Sequence, residues 1–211
     1  MADVVHKIKN NLGGIGGFAS LLERDLDEDD PRMRLVTRIQ ESVERLNNFV
    51  VDLMFLVRDV QPECEHIRLL PLLKEILQNE EKESARGKVM IQGDENVDLP
   101  ALAIFADPHL IREMMLQLVI FIRSSGGKVE RVFVAGISDD VLKMQFIIQG
   151  GDMAISLPAD FSTLIKRFDR VETRLSLSIV LKMAQCFDAR VSYAKTGQAT
   201  SVISVQMMKD K

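Results

Sequence analysis

The chain has 211 residues, 46% of them hydrophobic and 27% charged, so it can bury a real core and does not read as a disordered tail. At about 150 residues per domain it is one large domain or two small ones. A net charge of −4, one Tyr and no Trp offer neither a basic field for a phosphate backbone nor a platform for base stacking, so nucleic acid is not an expected partner.

No stretch approaches the roughly 20 apolar residues of a membrane span, and the start, Met-Ala-Asp-Val-Val-His, lacks a basic-then-apolar leader. No membrane association and a cytoplasmic location are therefore expected. Cys64 and Cys186 lie far apart without metal-ligand spacing and read as reduced, structural thiols. Three histidines are too few and too scattered for a metal cluster.

Val5, Ile8, Leu12, Ile15, Ala19, Leu22 and Leu26 alternate steps of three and four, the a/d seam of a heptad helix. Asp27-Glu28-Asp29-Asp30-Pro31 breaks it, because Pro31 disfavours helix at the residue before it. The seam resumes at Val36, Ile39, Val43, Leu46, Val50, Leu53 and Val57. Two helices of about 25 residues joined by a turn make an antiparallel hairpin, and a continuous seam needs a second copy to close it as a four-helix bundle. A homodimer through residues 1–60 is the expectation.

Val60 to Glu65 is a polar joint containing Pro62, after which the periods change. Helices are predicted over 69–83, 108–124, 160–168 and 173–187, and strands over 88–92, 103–106, 129–138, 141–148, 190–194 and 201–207. Gly126-Gly127 is expected to end the helix before it, and Asp139-Asp140 to join a hairpin. The fold class is α+β: an N-terminal helical hairpin over 1–62, then an α/β sandwich over 66–211. Residues 1–66 carry 13 acidic and 8 basic side chains, so neither part signals a polyanion partner. Among single residues, His66 reads as a linker histidine, His109 as a surface or cap residue, Met114-Met115 as core, Met207-Met208 as a terminal strand and its end, and Gly197 as part of a turn.

The most unusual stretch runs from His6 to Phe18 and holds Gly13, Gly14, Gly16 and Gly17 within a helical pattern. Each glycine costs roughly 1 kcal/mol relative to alanine in a helix, and close approach by another backbone or another protein is the usual offset. His6 follows Val5 and so lies beside the seam, facing water. An imidazole in that setting is largely unprotonated near neutral pH and competent as a nucleophile. Lys9 and Asn10, three and four residues on, share its face and suit an incoming phosphoryl group. The plain alternative is a solvated surface histidine. Gly14-x-Gly16-x-x-Ala19 formally fits a dinucleotide fingerprint, but no strand precedes it and a heptad seam runs through it. A P-loop fails because no Gly-Lys-Ser/Thr follows.

The run His6-Lys7-Ile8-Lys9-Asn10-Asn11-Leu12 closely resembles the phosphoacceptor helix of sensor histidine kinases, and the heptad hairpin resembles that family's dimerisation domain. The rest of the chain resembles the family's ATP-binding domain with its active residues replaced. Asp107-Pro108-His109-Leu110-Ile111-Arg112-Glu113 opens the expected helix, but the two metal- and phosphate-binding Asn positions are Gln117 and Phe121. The adenine-binding Asp is replaced at Gln149, and of the glycines in that motif Gly151 remains. In the final glycine-rich loop the glycines are replaced at Glu172, Arg174 and Ser176. Lys7 stands where kinases of the family place an acidic base, and a charged Lys cannot accept a proton.

The resemblance therefore implies an acceptor site kept and a donor site lost, as in histidine phosphotransferases built as a helical hairpin plus a vestigial kinase fold. Such a protein accepts a phosphoryl group on His6 from a receiver-domain aspartyl phosphate and passes it to another receiver without ATP. No cofactor or metal of its own is expected, since the receiver supplies the magnesium. Lys7, Gly13, Gly14 and Gly17 are the expected partner surface. Two alternatives stay open: a non-catalytic scaffold docking a receiver or kinase, and a receiver phosphatase using Asn10.

Overall fold

A computed structural model describes residues 2–27, 29–84, 89–138, 140–150, 171–197 and 199–209. The chain divides into two compact units, Met1–Asp59 and Val60–Lys211. The first unit is α1 (Ala2–Asp25) and α2 (Met33–Val57). They pack as an antiparallel pair, with Gly16 beside Val43 and Gln40 Nε2 donating to Glu23 Oε2 at 2.7 Å. The turn between them is fixed by Asp30. Its carboxylate accepts the Arg32 backbone N–H at 2.8 Å and grips the Arg32 guanidinium, which holds the Asp30 carboxyl down at about 2.

The heptad seam divides in two. Leu12, Ala19, Val36 and Val50 are buried between the helices. The alternate layer, Ile8, Ile15, Leu22, Ile39, Leu46 and Leu53, is exposed, Ile15 by 48%. A two-helix pair has only one shared face, so half of each stripe stays in water.

The second unit contains β1 (Glu65–Arg68), α3 (Leu69–Ser84), β2 (Met90–Gly93), β3 (Ala103–Ala106), α4 (Pro108–Ser124), β4 (Gly127–Gly136), β5 (Val141–Gly150), α5 (Val171–Cys186), β6 (Arg190–Lys195) and β7 (Thr200–Met208). A five-stranded sheet has the order β2-β4-β5-β7-β6, and β1 pairs with β3 in a separate two-stranded sheet. Among the described residues, β2 runs parallel to β4 and the other four pairings are antiparallel. Alternation along β5 puts Leu142, Met144, Phe146 and Ile148 on the buried face, where Val132, Val134, Ile203 and Val205 join them. Ile111, Met114, Met115, Leu118 and Ile122 of α4 and Leu177, Val180 and Met183 of α5 complete this core.

The α+β class and the two-helix start followed by a sandwich are as expected. Three local readings are corrected. β1 occupies 65–68, where a joint and its flank were expected, and its His66 is no linker residue but a strand residue with its ring 5.2 Å from that of Phe105. Gly126, at φ 79°, ends α4, whereas Gly127 already belongs to β4 and pairs with Gly150. A Cβ on Gly127 would meet Ile148 Cγ2 at 2.8 Å, so that strand start needs glycine. The expected helix over 160–168 lies outside the described residues. Cys64 and Cys186 form no disulfide, Met114 and Met115 are core, and His109 is exposed beside the cap of α4.

Candidate functional site

Helix α1 presents His6 to solvent, with Lys7, Lys9 and Asn10 exposed around it. At 3.6 residues per turn, His6, Asn10, Gly13 and Gly17 fall within about 40° of one line along the helix. They sit opposite the exposed seam layer, so the histidine face and that apolar layer do not compete for the same surface. The glycines form a shallow strip below the histidine. A Cβ on Gly13, Gly14 or Gly17 would meet nothing within 4 Å, and on Gly16 only Val43 Cγ1 at 3.5 Å. Within the hairpin, no described backbone approaches Gly13, Gly14 or Gly17. Phe18 is 69% exposed and Leu21 is exposed as well, both flanking this strip. Sequence reading missed these two, although their place outside the a/d positions was a usable signal.

The second group of singled-out residues lies on α4, β5 and α5. Asp107 caps α4: its Oδ1 accepts the N–H groups of His109 at 2.9 Å and Leu110 at 3.0 Å. Its Oδ2 accepts the N–H of Glu63 at 2.9 Å, tying the chain that enters this unit to the start of the helix. Burial pushes the Asp107 carboxyl up, but the three donated hydrogen bonds together outweigh it and hold the carboxyl below its ordinary value. On the next turns Arg112 forms a two-pronged ion pair with Glu75 of α3.

Phe121 is 2% exposed and Gln117 5%. Gln117 Nε2 donates to Glu113 Oε1 at 2.9 Å, while its Oε1 has no partner among the described residues. Ser176, across on α5, is 4% exposed. Arg174 is half-buried, its carbonyl accepting the Ser178 hydroxyl at 2.8 Å. Gln149 is exposed near the end of β5, paired between Lys128 and Thr200. Gly151 and the side chain of Glu172 lie outside the described residues. Among the described residues no cluster of three or more His, Cys, Asp or Glu is placed to hold a metal ion, and no helix is long and apolar enough to cross a membrane.

Comparison with known proteins agrees with both halves. Residues 1–61 match the family model "His Kinase A (phospho-acceptor) domain". A curated relative, the sensor protein kinase PilS of Pseudomonas aeruginosa, is 30% identical over 120 residues; that alignment covers 56% of this chain and 22% of PilS. Thus the chain spans 22% of the length of this relative. Among solved structures, full-length ShkA in complex with AMPPNP superposes with a TM-score of 0.75 at 17% identity, over 99% of this chain and 45% of that one. The histidine kinase AdeS of Acinetobacter baumannii gives 0.61 at 14% identity, covering 97% of this chain and 96% of that one. The histidine kinase ThkA in complex with the response regulator protein TrrA gives 0.62 at 19% identity, over 99% and 60%. Its first 61 residues thus match a phospho-acceptor domain model, and over almost its whole length the chain shares the fold of solved histidine kinases.

Proposed function

We propose that this protein is a histidine phosphotransferase that receives its phosphoryl group from a receiver domain rather than from ATP. A ring nitrogen of His6 attacks the phosphorus of an aspartyl phosphate. The bond from phosphorus to the carboxylate oxygen breaks, the receiver's Asp leaves as a carboxylate, and the imidazole releases its proton to solvent. The reverse step hands the group to a second receiver. Lys9 and Asn10, on the His6 face, offer a cation and an amide to the phosphoryl oxygens. The receiver's magnesium and acidic pocket do the rest.

The observation that carries this reading is Phe121. It stands at a position where the resemblance expects an Asn for metal and phosphate, has no oxygen to give, and is buried. Its neighbours support the same reading. Ser176, where the resemblance expects a glycine, is packed away on α5. These side chains do not fit a magnesium nucleotide, so no step is routed through one. The second unit, Val60–Lys211, then serves a structural role.

Two hairpins are expected to pair through Ile8, Ile15, Leu22, Ile39, Leu46 and Leu53, leaving each His6 face outward. The glycine strip with Phe18 and Leu21 is the docking surface for the receiver, since a helix can approach closely only where side chains are absent.

The test is a transfer assay. Receiver domains charged with labelled phosphoryl groups are mixed with the protein, with its His6→Gln variant, and beside a labelled-ATP control. Label on the wild type alone, none on the variant and none from ATP, is the expected result. Label from ATP makes the protein an autokinase. Receivers that lose phosphate equally fast with the variant make it a phosphatase, and receivers that neither transfer nor lose label make it a scaffold.

A further inference from the structure

The two edges of the five-stranded sheet are unlike. The β6 edge carries Arg190 and Lys195, both exposed, and charge on an edge discourages another strand from pairing there. The β2 edge reads Met-Ile-Gln-Gly and has no charge, and Met90 is 45% exposed. Among the described residues β2 pairs with β4 alone, and no described backbone group outside β4 bonds to Met90, Ile91 or Gln92.

Beside this edge lies a groove of about 680 Å³ between β2, α3 and the loop before β3. Its walls include Leu70, Leu77, Ile91 and Leu99, and among the described lining residues Lys74 is the single charged one. The loop is closed down on the far end of the strand, where a Cβ on Gly93 would meet Leu99 Cγ at 2.8 Å. Met90, Ile91 and Gln92 are themselves part of the groove's lining.

An extended backbone that brings apolar side chains can pair with such an edge and cover the apolar walls beside it together. We propose that the β2 edge and its groove receive an extended segment of a partner protein, added as a sixth strand. The segment carries apolar side chains at alternate positions and one carboxylate that meets Lys74. This site is independent of His6 and of the reading given for it.

The test uses the full chain and a displayed library of random twelve-residue peptides, selected in parallel on the wild type, on Met90→Lys and on Lys74→Glu. Met90 and Lys74 are exposed, so neither change disturbs the core. Selection is expected to enrich sequences with alternate apolar residues and an acidic one. Their affinity is expected to fall at least tenfold on Met90→Lys. On Lys74→Glu the same peptides are expected to weaken and to recover when their acidic residue is changed to Lys. A bound peptide is expected to slow hydrogen exchange at Ile91 and Gln92. No enrichment above a blank surface overturns the proposal. So does binding untouched by both variants, protection confined to other elements, or equal retention of peptides interrupted by Pro. Competition by decanoate without any change in exchange at β2 assigns the groove to a small apolar anion instead and also overturns it.

Discussion

Asp107→Ala removes three hydrogen bonds at once, because one carboxylate accepts from His109, Leu110 and Glu63. Losing an N-cap costs about 1 kcal/mol, within a range of about 0.5–2. Losing the hydrogen bond from the Glu63 N–H to a charged acceptor adds about 1.5 kcal/mol or more. The sum is about 2.5 kcal/mol, which for a unit of this size lowers Tm by about 5–10 °C. Asp107→Asn keeps an acceptor on the cap but loses the charge, and is expected to fall between the variant and the wild type. The carboxyl is held below its ordinary value in the folded chain, so its contribution is fully present above the unfolded value. It is lost as pH falls through the folded value. The gap between wild type and Asp107→Asn is therefore expected to be constant near neutrality and to close below about pH 4. Urea unfolding followed by circular dichroism, repeated across pH, checks this. A gap under about 0.5 kcal/mol for Asp107→Ala, the ordinary scatter of surface changes, refutes the reasoning. A gap that does not depend on pH refutes the electrostatic part alone.

Gly17→Ala fills open space, so it is expected to stabilise the hairpin by up to about 1 kcal/mol while slowing transfer from a receiver; a stabilised variant with unchanged transfer removes the glycine strip from the docking surface. Ile15→Asp puts a carboxylate into the exposed seam layer and is expected to yield monomers by light scattering, since each such half-exposed side chain contributes on the order of 1 kcal/mol when covered. Phe121→Ala leaves a cavity in the packed face of α4 and is expected to cost about 3–5 kcal/mol in urea unfolding. A loss below about 1 kcal/mol would mean that the site collapses around the gap.

Helix α4 was fully legible in the sequence. Asp107-Pro108 starts it, an apolar stripe carries it, and Gly126 at positive φ stops it, all within the chain's own local rules. β3, with the apolar run Ala-Ile-Phe-Ala, is equally local. β1 was not legible: Glu-His-Ile-Arg has one apolar residue, and it is a strand because Ile67 and its neighbours find β3 some forty residues away. Periodicity gave both seams of the hairpin but could not tell which layer faces inward. A heptad marks a stripe, whereas the partner helix decides which half of it is covered. His6 stood out through its neighbours. Phe18 and Leu21 did not, since an apolar residue in a helix is read as core until burial is known. The groove beside β2 is assembled from three separate segments and leaves no mark in any one of them.

The divided seam has a consequence for how such a protein diversifies. Leu12, Ala19, Val36 and Val50 are buried between α1 and α2, while Ile8, Ile15, Leu22, Ile39, Leu46 and Leu53 are exposed and, in the proposed pairing, meet the second copy. Stability of the hairpin and choice of mate are thus written on interleaved but separate sets of letters. A duplicated copy can drift in the second set and stop exchanging subunits with its parent while the first set keeps both folded. Under the proposed pairing and transfer, separating two sister proteins then requires few substitutions, and none of them touches the face that carries His6.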